Sequence, residues 1–533
     1  MKTNHLFCLA LLVTLLVMPF SHAASGKNDA LVAQWEVADL SFMANETPSA
    51  PFEVGFEARF TGPGGTSLTV PGFYNGGREW MLRFSHGMQG KWSFSTRSDL
   101  ASLNGLTGSL TIMGNKDPKQ HGGIKINPDR PQHFIHEDGT PYHSMAFECD
   151  WLFALDYAGS METPKTRHLM DLLEQDGFNQ IVTTLYSFDV NWKKDPKLND
   201  HPEHEYGGNL AIYPFGGTNK DPDFSTLNVE FFKKFDRCVA LMNEHHIVAH
   251  LMIYVWNKQV NWPGPRTTED NRYFDYVIKR YQAFPNVIWD VSKEALNNAR
   301  CTEEYGRERI ERIRNLDAFK RLVTVHDYGF CQRNTDVVDF ISIQTWSGSI
   351  YNAMLEIHQK YPEKPLFNIE HGGYERSFYD VFPGDYIDPK VCLRRNWLCS
   401  FAGAYNTYYW QGAAWNVIIH NPFQQPLDFP EPRFDYYRHM TDFFTRFPYS
   451  EFSPAPERNH SAYCLQGGNI YLFFIPREHY QLSAYGGPLR QKTGTVQWFN
   501  CFTGEYSEEL PCTDGFFVSP WQGEADSVLI RKL

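Results

Sequence analysis

The sequence predicts a (β/α)8 TIM barrel held between an N-terminal and a C-terminal antiparallel β-sandwich. Three observations predict it. Strand-like and helix-like segments alternate through about residues 131–450, the pattern that closes a parallel barrel. The flanks, 29–115 and 451–533, switch to the two-residue period of strands with one buried face. Two apolar strings, VIWDVSKEALNN (Val287–Asn298) and PLFNIEHGGYE (Pro365–Glu375), each run into a glutamate and then a polar loop. Barrel chemistry sits where strands end in this way.

The chain opens with Lys2, an apolar run from Leu6 to Met18, and small residues at Ser21 and Ala23. This predicts a signal peptide over 1–23, cleaved near Ala23, and a periplasmic or secreted mature protein. No later stretch holds ~18 consecutive apolar residues, so no stable membrane insertion is expected.

In the N-terminal flank, Phe52, Val54, Phe56, Ala58 and Phe60 alternate with polar residues or glycine, and Trp80, Leu82, Phe84 and then Trp92, Phe94 repeat the pattern. Turns at Gly62–Gly65, Asn75–Gly77 and Gly90 separate them, which suits an immunoglobulin-like sandwich. After the polar stretch Gly114–Gly123 the period changes. The barrel strands are expected at His143–Phe147, Phe178–Leu185, Ile247–Ile253, Val287–Asp290, Leu322–Val325, Phe340–Ile343, Leu366–Ile369 and Asn406–Tyr409. Helical patterns fall at Lys165–Gln175, Val229–His245, Glu269–Phe284, Glu303–Ala318, Tyr351–Lys360, Lys390–Ala402 and Phe434–Phe447. An insertion rich in Asp, Pro, Gly and His spans Tyr186–Asp223, after the second strand. An open doubly wound sheet is the alternative, disfavoured because no glycine-rich phosphate loop opens a helix. Past Glu451, Ile470–Ile475, Val496–Phe499 and Val528–Ile530 read as strands of the closing sandwich.

Composition narrows the function. At 533 residues, 42% hydrophobic and 21% charged, the chain is globular and exceeds one ordinary domain. A formal charge of −13 without a basic stripe argues against nucleic-acid binding, which needs a cationic face. Of 10 cysteines, Cys8 lies in the leader, and the odd number left cannot all pair. Cys501 and Cys512 have the spacing to flank a hairpin, whereas Cys149, Cys238 and Cys399 sit in apolar settings and read as core. There is no pair of CxxC units and no HExxH helix, and the stretch His201–His204 lacks a second ligand group in local register. No metal and no cofactor is therefore assigned.

What remains is a pair of carboxylates. Glu294 and Glu370 at barrel-strand ends suit glycosidic bond cleavage, in which one carboxyl protonates the leaving oxygen and the other attacks the sugar or activates water. The expected partner is a carbohydrate. Asp150, Tyr186, Trp256, Asn257, His326, Gln344, Trp346, His371, Trp410 and Trp415 fall at or just after predicted strand ends, as candidates to hold it. Aromatic planes match the apolar faces of sugar rings, and amide, imidazole and carboxylate groups match their hydroxyls. Trp346 and Trp415 are the preferred platforms, and His326 and Gln344 the preferred hydrogen-bonding groups. Glu148 also follows the first strand, either as a sugar contact or as a structural hydrogen bond.

The barrel resembles clan A glycoside hydrolases, whose acid/base glutamate ends strand four and whose nucleophile ends strand seven. That resemblance implies Glu294 as acid/base, Glu370 as nucleophile, and a retaining reaction without cofactor. More closely it resembles the apiosidase-like glycosidases, through the layout and through AGAYNTYYWQGAAW at Ala402–Trp415. The opening sandwich, with QWEV at Gln34–Val37, GFYNGG at Gly72–Gly77 and GKWSF at Gly90–Phe94, resembles a domain of unknown function that often precedes such barrels. The closing sandwich, with VQWFNCFTGE at Val496–Glu505, resembles another such module. One departure stands out: clan A proteins usually carry asparagine before the acid/base, and this chain has Lys293. A cation there either favours the ionised form of Glu294 or points elsewhere. An inactive carbohydrate-binding barrel is the second reading, and an esterase or peptidase the third, lacking a GxSxG elbow.

Overall fold

The computed structural model describes residues 30–157, 162–188, 202–205, 212–256, 258–296, 301–345, 347–371, 388–408, 432–483, 487–491, 493–513 and 516–533. The expected signal peptide and the candidates Asn257, Trp346, Trp410 and Trp415 lie outside them, as does much of the Tyr186–Asp223 insertion.

Eight parallel strands form the central sheet: Met145–Glu148, Gln180–Thr184, Val248–Val255, Val287–Lys293, Val323–His326, Ile341–Gln344, Leu366–Glu370 and Ala404–Tyr408. Numbered one to eight in that order, they neighbour each other as 5-4-3-2-1-8-7-6, a ring whose seam falls between strands five and six. Strands three and four are buried along their whole length. Apolar runs such as VAHLMIYV fit that two-sided burial, since a parallel strand has side chains in the lumen and side chains under the helices.

The helices start where the sequence supplies caps. Asn228 accepts from the amide of Phe231, Thr267 from that of Asp270 and Thr302 from that of Tyr305, opening Val229–Glu244, Thr268–Tyr281 and Glu303–Leu316. Asp388 caps Pro389–Phe401, with the proline in the first turn where its missing N–H does no harm. Between strands five and six stands only the short helix Tyr328–Arg333, capped by Asp327, which the helical period is too brief to announce.

In the N-terminal sandwich, one sheet orders Ala30–Ala33, Thr107–Met113, Gly90–Ser98, Phe56–Thr61 and Ser67–Pro71, and the other Ala38–Met43, Glu79–Phe84 and Phe73–Gly76. Its first strand pairs parallel with Thr107–Met113, a departure from an all-antiparallel sandwich. Phe60 stacks on Phe84 at 4.2 Å between ring centres, beside the buried Trp80 and Trp92. The alternation starting at Phe52 is not one strand. Pro51–Glu53 forms a 3-10 turn, and Phe52 instead meets the rings of Tyr74 and the barrel's Tyr276 at 5.1 and 5.4 Å.

Buried ion pairs join this sandwich to the barrel. Arg83 holds Asp39 and reaches Asp236 at 3.0 Å, which in turn holds Arg280 at 2.7 Å. The C-terminal sheet orders Ser453–Pro454, Tyr463–Gly467, Ile470–Ile475, Ser527–Lys532, Thr495–Asn500 and Leu510–Pro511, faced by the pair Gln481–Ser483 and Phe516–Val518. Trp397 of the barrel stacks on its Phe474 at 5.8 Å and 6°. Cys501 and Cys512 lie at the ends of a paired hairpin without bridging, and every cysteine among the described residues is buried and unbridged.

Candidate active site

Strict alternation would not bring the site together. Trp289 bonds Asp317 outside the barrel, so Asp290 faces the lumen, where His250 Nε2 lies 2.9 Å from its carboxylate. Period two would then turn Lys293 outward. Between Asp290 and Lys293, however, three residue steps of strand four oppose two of strand five, a one-residue bulge that turns Lys293 inward. Strand seven repeats the device. Phe367 faces the lumen against His250 at 5.7 Å, Asn368 faces Cys399 on the covering helix, and a register slip before Glu370 turns that carboxylate inward.

The consequence is a buried charge cluster at the catalytic end of the barrel. Lys293 contacts Glu370 directly, and its ammonium lies 2.9 Å from Glu148 Oε1 and 3.9 Å from Asp150 Oδ2. Glu370 is 1% exposed, Glu148 0% and Lys293 5%. The cation is therefore directed at strands one and seven. Burial would strip the charge from Lys293, but the carboxylates of Asp150, Glu148 and Glu370 hold its pKa well above the ordinary lysine value. Burial drives Glu148 well above the ordinary carboxylate range, with Lys293 opposing and Glu370 and Asp150 reinforcing. Glu370 is also raised, chiefly by burial, with Lys293 pulling it back and Asp150 and Glu294 pushing it up.

Glu294 follows strand four with φ 51°, in the left-handed region, and its amide donates to the carbonyl of His326 at 3.0 Å. A non-glycine residue held there costs roughly 1–3 kcal/mol, a strain that collects at functional sites. Asp327 supports the turn: one carboxylate oxygen caps the helix at Phe330 and the other accepts from the amide of Leu296 at 2.9 Å. Glu294 is half-buried, unlike Glu370.

His326 lies with Nε2 3.7 Å from Glu370 and faces the side chain of Gln344. Burial, with Lys293 and His250 adding to it, holds this imidazole neutral, well below the ordinary histidine value. His371 is likewise lowered to about 3 by burial and Arg395, which donates to the His371 carbonyl at 2.7 Å and to that of Ser347 at 3.2 Å. Asp150 sits under strand two, its carbonyl accepting from Thr184 Oγ1 at 2.5 Å. Thus Asp150, His326, Gln344 and His371 gather around the two glutamates or the loops beside them.

Tyr186 and Trp256 occupy different surroundings. Tyr186 is wrapped by Phe153, Tyr213, Phe231 and Trp262, and Trp256 stacks on Tyr254 at 4.8 Å and 20°, with both residues buried. Such ring-on-ring packing is core, not an open platform. Sequence reasoning left open what Glu148 does and which way Lys293 points; the signal for both was a lysine where a polar amide was expected beside a strand-end glutamate. The described residues also contain one group with metal-ligand spacing, His168, Glu203 and His204, away from the glutamates in sequence.

The comparisons with known proteins agree with this geometry. Residues 129–451 match the family described as Apiosidase-like, catalytic domain, and residues 31–99 match a domain of unknown function, DUF5060. A Bacteroides vulgatus ATCC 8482 protein assigned as a glycoside hydrolase shares the fold with a TM-score of 0.71 at 19% identity, covering 95% of this chain and 100% of its own. A glycoside hydrolase family 5 protein from the same organism gives 0.55 at 13% identity over 78% of this chain and 94% of its own. A further structure named glycoside hydrolase gives 0.56 at 14% identity over 78% and 98%. No curated protein matches the chain. With well over half of its length inside the family match, the chain belongs to the Apiosidase-like catalytic-domain family and is a glycoside hydrolase.

Proposed function

We propose that this glycoside hydrolase is a periplasmic or secreted retaining enzyme that removes terminal sugars or short units from a poly- or oligosaccharide. Glu370 attacks the anomeric carbon as the bond to the leaving oxygen breaks, and Glu294 gives that oxygen its proton. Glu294 then takes a proton from water, whose oxygen displaces Glu370 and releases the sugar. The observation that carries this reading is the inward-turned Glu370 held against Lys293, with Glu294 close enough for its charge to act on it. Burial alone would favour a protonated Glu370, a poor nucleophile; Lys293 opposes that. The proposal expects carboxyl groups about 5–5.5 Å apart rather than the ~6.5–9.5 Å of inverting enzymes.

Terminal attack rests on the insertion after strand two, which a barrel delivers to its catalytic face. Early release of one small product supports it, and a ladder of mixed lengths overturns it. The same Lys293–Glu370 contact also suits a binding-only barrel, in which the nucleophile is permanently occupied. One experiment separates the two. Wild-type protein should turn over an activated aryl glycoside with retained configuration, and Glu370→Gly should lose turnover but form a glycosyl azide when azide is added. Absence of wild-type turnover across a broad glycoside panel favours binding only; inverted product refutes the retaining step.

A further inference from the structure

We propose that His168, Glu203 and His204 form a site for a zinc-class divalent cation, which staples the strand-two insertion to the first barrel helix. His168 stands in the second turn of Pro164–Gln175, and Glu203 and His204 belong to the insertion, 35 or more positions away along the chain. Even so, one ligand atom from each of the three lies within 4.8 Å of the others. The rings of His168 and His204 are parallel to 9° with centres 5.4 Å apart. His204 is buried and His168 partly buried, while Glu203 is exposed and supplies the solvent-facing ligand.

The donor set selects the ion. Two imidazoles and one carboxylate suit zinc at about 2.0–2.2 Å, with a water as fourth ligand, whereas calcium and magnesium require oxygen shells. The backbone is already brought to the helix independently of any ion, because Lys165 Nζ donates to the Glu205 carbonyl at 2.5 Å. Helix and insertion meet there at two successive helical turns, as a site pre-formed for coordination requires.

The test uses the full chain without a histidine tag, titrated with zinc chloride by calorimetry and assayed for bound metal after dialysis. One equivalent should bind, unaffected by excess calcium or magnesium, and raise the melting temperature. His168→Ala and His204→Ala should each weaken binding on the order of 100-fold or more, and Glu203→Gln by about tenfold or more, with melting curves in chelator confirming folded variants. Cobalt, as a spectroscopic substitute, should give the visible absorption of a tetrahedral centre in the wild type only. Failure of the folded wild type to bind stoichiometric zinc overturns the proposal, as does full binding by the His168→Ala/His204→Ala double variant. If the double variant does not fold, the Glu203→Gln titration decides, since that exposed residue tolerates the change.

Discussion

Lys293, turned into the barrel at the end of strand four, meets Glu148 at the end of strand one across 2.9 Å, both side chains buried. The pair is the cross-brace of a cluster in which one cation serves three carboxylates. Such a cluster is costly to open from one side, because a buried charge without its partner is destabilising by about 3–5 kcal/mol.

Lys293→Met should therefore lower stability by roughly that amount. It should also move the acidic limb of the kcat/KM profile to higher pH, because a carboxylate that loses its cation holds its proton more tightly, and below the displaced limb the rate falls about tenfold for each further pH unit of acidification. Lys293→Arg should retain more of both properties. An unmoved acidic limb in a folded Lys293→Met protein would show that Lys293 does not set the ionisation of Glu370.

Glu294→Ala should slow substrates with poor leaving groups by about 10²–10⁴-fold and activated aryl glycosides by far less, since only the former need a donated proton. Comparing kcat/KM across a series of phenol leaving groups checks this. Equal losses along the series would remove the acid role from Glu294.

Acid should weaken the fold. Burial lowers His133 and His143 to about 3, and His136 and His358 to about 4. An unfolded histidine titrates near 6.5, so the denatured chain takes up protons that the folded one refuses. Each contributes stability that is complete above about pH 6.5 and lost at up to ~1.4 kcal/mol per pH unit as pH falls toward those folded values. The urea midpoint should fall between pH 7 and 5, and His143→Phe, in a ring already 4.3 Å from Phe444, should flatten the slope. A midpoint that rises over that interval would contradict the argument.

Asp236 is the hinge of the contact between the sandwich and the barrel. Burial would raise its pKa, yet Arg280 and Arg83 hold it below the ordinary aspartate value. Asp236→Asn leaves two buried guanidinium groups short of a counter-charge and should cost about 3–5 kcal/mol. Denaturation of wild type and variant side by side measures it, and a loss under ~1 kcal/mol would mean that the interface relaxes around the change.

Much of this architecture was legible in the sequence, because apolar runs, caps and polar breaks report it locally. Glu294 follows strand four and Glu370 ends strand seven. The direction of Lys293 was not legible. Strand four runs to Lys293 instead of stopping at Asp290, and its bulge contains no glycine or proline to announce it. Tyr186 and Trp256 were selected for lying at strand ends, but whether an aromatic there meets solvent or other rings depends on residues far along the chain, such as Tyr213 and Tyr254. The meeting of His168 with His204 is likewise long-range, set by how an insertion folds back.

The two bulges give the barrel wall and its working rim independent phases. Upstream of each offset, side-chain direction answers to the packing of the wall; downstream, to the lumen above it. Chain length, more than side-chain identity, then becomes the control on activity. Deleting Ile369 should remove the slip and leave Glu370 beside Asn368, opposite Gln344 and still directed at the lumen, whereas adding one residue after Ile369 with the slip retained should swing the carboxylate toward the helices, giving a folded, silent barrel with its full set of catalytic residue types. A lineage of such barrels can therefore gain or lose turnover through single-codon insertions and deletions that a survey of residue identities alone would pass over.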